Sequence, residues 1–178
     1  MYKIMPVFFL LFFSAFAKEG CKIEDRVIWS VLKNESHPSK KIGYSYLISF
    51  NNSREARHVK KYLPEIFLDN RTIDCQNREK CVALANKLFS IGIKNLDLGS
   101  FQINSYWHKY DTKSYFDNTQ SYKIACGYIE DMVAKHGYNW YAIASYHSKT
   151  TEYNLKYQKN LIKNYFANNE WGSIDFQQ

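Results

Sequence analysis

The sequence predicts an α+β fold, mainly helical, with a small β-sheet or hairpin inserted among its helices. Three observations predict it. Apolar residues recur at helical spacing in several separate segments. One stretch, residues 44–50, is instead dense in aromatic and β-prone residues. No internal repeat, low-complexity tract or Pro/Gly-rich linker divides the chain, so its 178 residues read as one domain behind a short leader.

The elements follow in order. Ile23, Val27, Ile28, Val31 and Leu32 form the stripe of a first helix running to Glu35. Pro38 keeps that helix from continuing much beyond Ser36. Residues 44–50 (Tyr-Ser-Tyr-Leu-Ile-Ser-Phe) read as a strand. Asn51-Asn52-Ser53 reads as a turn and helix cap, and residues 54–63 as a short helix. Residues 66–73 contain the turn-capable pair Asp69-Asn70, which allows a second strand or hairpin. Residues 81–89 form a helix stopped by Gly92. Ile124, Tyr128, Ile129, Met132 and Val133 share one face of a helix over residues 121–136, ended by Gly137. Residues 140–146 and 154–166 supply the last two helices.

The first 17 residues have the plan of a secretory leader: Lys3, an apolar run from Val7 to Phe13, and the small-x-small site Ala15-Phe16-Ala17. The run is too short to span a bilayer. The mature chain is then expected over residues 18–178, in the periplasm or outside the cell. Export makes disulfides the natural state of Cys21, Cys75, Cys81 and Cys126. Four cysteines allow three pairings. A local Cys75–Cys81 bridge is geometrically easy and leaves Cys21 with Cys126. No CxxC pair or His pair at ligand spacing occurs, so no metal is expected. Loss of Lys3 with the leader takes the formal charge from +7 to +6. A basic exported protein suits an anionic partner such as a cell-wall polymer. No Lys/Arg cluster is dense enough to favour nucleic acid.

Three places offer chemistry. Glu35 lies four residues beyond Val31 and seven beyond Ile28, on the apolar face at the helix's C-terminal end. Desolvation and the negative end of the helix dipole both raise a carboxyl pKa there. A carboxyl kept protonated near neutral pH can act as a general acid. The second place is Asp97-Leu98-Gly99-Ser100-Phe101-Gln102-Ile103-Asn104. Gly99 suits a tight turn or a close backbone approach. In an extended segment Gln102 and Asn104 would face one side and Phe101 and Ile103 the other. Their amides suit sugar hydroxyls and N-acetyl groups, or the turn's own backbone. The third is Tyr146, whose hydroxyl could reach a carboxyl. His147 beside it has no nucleophile elbow or unpaired thiol to serve.

Together these blocks resemble the family-1 lytic transglycosylases, and most of all the small specialised members that accompany secretion, conjugation and pilus machinery. Glu35-Ser36 matches the family's Glu-Ser pair at the end of a core helix. Asp97, Gly99, Gln102, Ile103 and Asn104 match its Asp-x-Gly-Leu-x-Gln-Ile-Asn block, with Ser100-Phe101 as the departure. Ala142, Tyr146, His147, Ser148 and Thr150 match the specialised form of its third block. Tyr157 fits a Tyr that members carry after it. A long segment over residues 43–89 is a second departure, and secretion-linked members often carry an insert there.

The resemblance implies a lysozyme-like fold and a cofactor-free enzyme, a peptidoglycan lytic transglycosylase acting as a monomer. Glu35 would be the sole acid/base. It protonates the oxygen between N-acetylmuramic acid and N-acetylglucosamine, then takes the proton of the muramic 6-hydroxyl as that group attacks the anomeric carbon. The product carries a 1,6-anhydro end. Ser36, Gln102, Asn104 and Tyr146 would bind or orient, Tyr146 against Glu35. The partners implied are glycan strands and a secretion, conjugation or pilus complex. Two alternatives stand beside it. A true lysozyme would hydrolyse the same bond, for which Asp97 is the poor candidate for a second carboxylate. A wall-binding assembly protein would not need Glu35.

Overall fold

The structure, a computed structural model, describes residues 20–167; the expected leader lies outside them. Within these residues the chain forms seven α-helices and one four-stranded antiparallel sheet. The α+β, mainly helical expectation therefore holds. In order they are α1 (Asp25–Glu35), β1 (Leu47–Phe50), α2 (Ser53–Tyr62), β2 (Thr72–Asp74), α3 (Arg78–Ser90), β3 (Leu96–Leu98), β4 (Ile103–Asn104), α4 (Thr112–Tyr115), α5 (Asn118–His136), α6 (Trp140–Ala144) and α7 (Thr151–Phe166).

α1 is more deeply embedded than a one-face stripe requires. Every residue from Val27 to Leu32 is buried, including Trp29 and Ser30. Ser30 tolerates this because its hydroxyl donates to the Val27 carbonyl at 2.7 Å. α1 packs along α7, which packs in turn on α6. α3 and α5 start earlier than the apolar periodicity predicts, because an Asn or Asp cap precedes it. α3 begins at Arg78 because Asn77 accepts from the Lys80 amide at 2.9 Å. α5 begins at Asn118 because Asp117 accepts from the Gln120 amide at 2.9 Å.

The sheet runs β2-β1-β3-β4, with Leu47 opposite Asp74, Ile48 opposite Leu98, and Leu98 opposite Ile103. The first strand is shorter than residues 44–50. The second starts only at Thr72, because Pro64–Ile66 is a 3-10 turn and Asp69 closes a loop on the Arg71 and Thr72 amides, both at 2.7 Å. Residues 101–104 are not uniformly extended. They complete a tight hairpin in which Gly99 (φ 75°) and Gln102 (φ 47°) are both left-handed. Burial still alternates as expected, with Phe101 and Ile103 inside.

Both expected disulfides are present. Cys21–Cys126 ties the segment before α1 to α5, and Cys75–Cys81 ties the end of β2 to α3. They fit an exported protein. No helix among the described residues is long and apolar enough to cross a membrane.

Candidate active-site cleft

A cleft of about 860 Å³ runs between the sheet and the helices. The sheet wall carries Leu47, Ser49, Asp97 and the hairpin residues Gln102 to Asn104. The helical wall carries the end of α1, the α5 face around Tyr128, and the turn from Ser145 to Thr150 between α6 and α7. All five candidate residues, Glu35, Ser36, Gln102, Asn104 and Tyr146, line this one cleft, although they span 111 positions of sequence.

Glu35 ends α1 and keeps partial exposure to the cleft. Its carboxyl is pushed up from the ordinary 4.5 to about 8. Desolvation by the surrounding protein is the main cause. A hydrogen bond from Tyr157 opposes it, the charge of Asp97 adds to it, and Arg71 opposes it weakly. Near neutral pH the group therefore holds its proton.

The hydroxyl expected on Glu35 was that of Tyr146. The structure assigns the contact differently. Tyr157, further on in α7 and only 4% exposed, donates to Glu35 Oε1. Tyr146 donates to the Phe101 carbonyl at 2.7 Å and so ties the α6–α7 turn to the β3–β4 hairpin. It stays within the field of Glu35, which, after burial, pushes the Tyr146 phenol well up. Burial, followed by the Glu35 charge, does the same to Tyr157. Both remain neutral donors.

The other candidates are held as much by the fold as they are offered to a ligand. Ser36 donates to the Leu32 carbonyl at 2.7 Å and accepts from the Gly43 amide at 3.0 Å, so its hydroxyl pins the loop leaving α1. Gln102 donates across its turn to the Gly99 carbonyl at 2.8 Å. Asn104 donates to Asn95 and Asp97, each at 2.8 Å, and its oxygen accepts from the Tyr106 and Trp107 amides. Gly99 is needed for a close approach, but to backbone and not to ligand. A Cβ there would sit 1.8 Å from the Tyr115 carbonyl oxygen.

Trp107 and Arg71, which also line the cleft, had no place in the sequence reading, and Asp97 had only that of a poor second carboxylate. Asp97 lies in the cleft with Glu35 and is gripped by Asn51 and Asn104, each at 2.8 Å, and by the Arg71 guanidinium at 3.0 Å. Burial pushes its carboxyl up, and these partners pull it back. Trp107 stands 75% exposed at the cleft, edge-on to Tyr106 at 4.8 Å. Its position three residues past Asn104 was the available signal. Arg71 had none, because it reaches the cleft from the β2 hairpin.

The fold and the cleft define an α+β protein with a protonated glutamic acid facing an ionisable aspartate. Comparisons with known protein families, with curated proteins and with solved structures find no match.

Proposed function

We propose that this chain is a peptidoglycan lytic transglycosylase of lysozyme-like build that cleaves the bond between N-acetylmuramic acid and N-acetylglucosamine. The observation that carries the reading is Glu35. A carboxyl held near pKa 8 and lining a cleft has its proton at the pH of use and a side open to a ligand. Glu35 gives that proton to the glycosidic oxygen as the bond breaks. The resulting carboxylate takes the muramic 6-hydroxyl proton as this oxygen closes on the anomeric carbon. Tyr157 donates to the carboxylate and limits its rise in energy. Trp107 offers a ring face to a sugar at the cleft of about 860 Å³. The disulfides and the leader-like N-terminus support work on the wall outside the cytosol, with local openings for a secretion, conjugation or pilus apparatus as the setting.

One observation favours a second reading. Asp97 faces the same cleft as Glu35, and a guanidinium and two amides favour its ionised form. A second carboxylate is what a hydrolase uses to support a cationic transition state or a nucleophilic step. Mass spectrometry of digested sacculi separates the two, since hydrolysis adds water to each new end and anhydro closure does not. Glu35→Gln should lower either activity by orders of magnitude with folding intact. Glycan cleavage at near wild-type rate in that variant would sink both readings.

A further inference from the structure

The geometry points to His147 as a positioning residue for Glu35, acting through the ring of Tyr157. This rests on the reading of Glu35 as the acid of a glycan-cleaving cleft. His147 lies flat on Tyr157, with ring centroids 4.7 Å apart and planes 3° from parallel. Tyr157 in turn donates to Glu35. The stack is built from the same helix at both ends. Asn154, 1% exposed, donates from α7 to the Ser148 carbonyl at 2.8 Å, and to the Tyr141 carbonyl and Ser145 hydroxyl at 3.2 and 3.3 Å. It thereby clamps the turn that carries His147. Tyr157 follows three residues later on the same face of α7. Clamp, turn, imidazole and phenol form a closed path, and its last member touches the carboxyl.

His147 also lies between Tyr157 and open space, since it lines the cleft and Tyr157 does not. The imidazole therefore covers the Tyr157 ring on the side toward the cleft. Without that cover the phenol, whose hydroxyl also meets Asn34, is freer to shift, and the bond to Glu35 would lengthen. Charge is the lesser part of this role. Burial lowers the His147 pKa, the nearby Asp97 opposes that and Arg71 adds to it, so the ring is neutral where Glu35 titrates. The charged or titratable groups facing the pair are Glu35 and Tyr146 on Tyr157, and Asp97 and Arg71 on His147.

The test uses His147→Ala, His147→Phe, Tyr157→Phe and the double variant His147→Ala/Tyr157→Phe. The Glu35 carboxyl is titrated by ¹³C NMR, and kcat and KM are measured on purified sacculi. Because the Tyr157 bond lowers the Glu35 pKa, His147→Ala should raise it by roughly half to one pH unit. It should also lower kcat on the order of tenfold with KM within about twofold, the pattern of a misplaced group. His147→Phe restores a flat ring and should stay near wild type in both. The double variant should match Tyr157→Phe alone, because both changes act on one bond. An unchanged Glu35 titration in His147→Ala, a Phe variant as impaired as the Ala variant, or additive effects in the double variant would each overturn the inference. If the wild-type protein cleaves no glycan, the proposed function fails, and the titration still judges the positioning role.

Discussion

Glu35→Gln should make the protein more stable on the alkaline side and leave it nearly unchanged on the acid side. The unfolded chain loses the Glu35 proton near 4.5, and the native protein loses it near 8. Between those values the unfolded state binds fewer protons, so native stability falls as pH rises. The contribution is intact below about pH 4.5 and is lost progressively as pH passes the native value. The interval is about 3.5 pH units, and at ~1.4 kcal/mol per unit it corresponds to about 5 kcal/mol. Water at the open side of the cleft screens part of this, which brings the expected difference to about 2–5 kcal/mol. Gln does not titrate, and its carbonyl oxygen can still accept from Tyr157. Asp69 and Asp74, both below their ordinary values, and the raised Asp97 titrate in both proteins and largely cancel in the difference. Urea unfolding of the two proteins from pH 4 to pH 9, disulfides intact and m-values equal, reads the effect. Parallel stability curves, or a wild type that is the more stable protein at pH 9, would refute the account of a desolvated, functionally poised carboxyl.

Other outcomes follow from the same structure. Gly99→Ala should destabilise by at least about 3 kcal/mol, because the added Cβ meets the Tyr115 carbonyl oxygen at 1.8 Å and the backbone is left-handed there; a loss under about 1 kcal/mol in urea unfolding would show that the hairpin does not seat on α4 as described. Removing Cys21–Cys126, which closes 105 residues, should cost about 4–5 kcal/mol, and removing Cys75–Cys81, which closes 6, about 2 kcal/mol. Paired Cys→Ser variants check the order, and non-reducing peptide mapping that finds other pairings would overturn it. Tyr146→Phe should cost about 1 kcal/mol of stability through its lost bond to the Phe101 carbonyl and leave the Glu35 titration in place. Tyr157→Phe should instead raise the Glu35 pKa; the reverse pattern in NMR titration would return the orienting role to Tyr146.

The helices could be read because burial leaves a periodic trace. Val27, Ile28, Val31 and Leu32 name α1, and the same periodicity puts Glu35 at its end, on the buried side. Starts were less readable, since a cap such as Asn77 acts through a side-chain bond that leaves no apolar pattern. The site divides in the same way. Glu35, Gln102, Asn104 and Tyr146 lie in blocks whose local spacing means something. The partners that decide their state come from elsewhere: Tyr157 reaches Glu35 across 122 positions, and Arg71 reaches Asp97 across 26. Local pattern carries no information about such pairs. In the sequence Asp97 reads as a turn residue and a poor second carboxylate. Only the convergence of Asn51, Arg71 and Asn104 on its two oxygens separates a turn residue from a carboxylate held for a purpose.

The division of the fold into sheet and helices explains why two carboxyls in one cleft behave differently. Glu35 stands on the helical side, where its neighbours are the apolar body of α1 and the ring of Tyr157. One hydroxyl is a weak counter to that desolvation, and the proton stays. Asp97 stands on the sheet side. Asn51 comes from the loop after β1, Arg71 from the approach to β2 and Asn104 from β4, so three short strands converge their polar ends on one carboxylate. Four strands of two to four residues bury little area of their own. Their effect is to gather donors around one charge, while the helices remove solvent from the other. Environments that separate the pKa values of facing carboxyls are how acid and anion coexist at one pH. The Asp97 charge then feeds back: it is one of the causes that keep Glu35 protonated. Removing the Arg71 cation would take away one of the forces that oppose the rise of Glu35 and, at Asp97, the guanidinium that favours its anion. The acid and its opposing carboxylate are thus one electrostatic unit, held from the two halves of the fold.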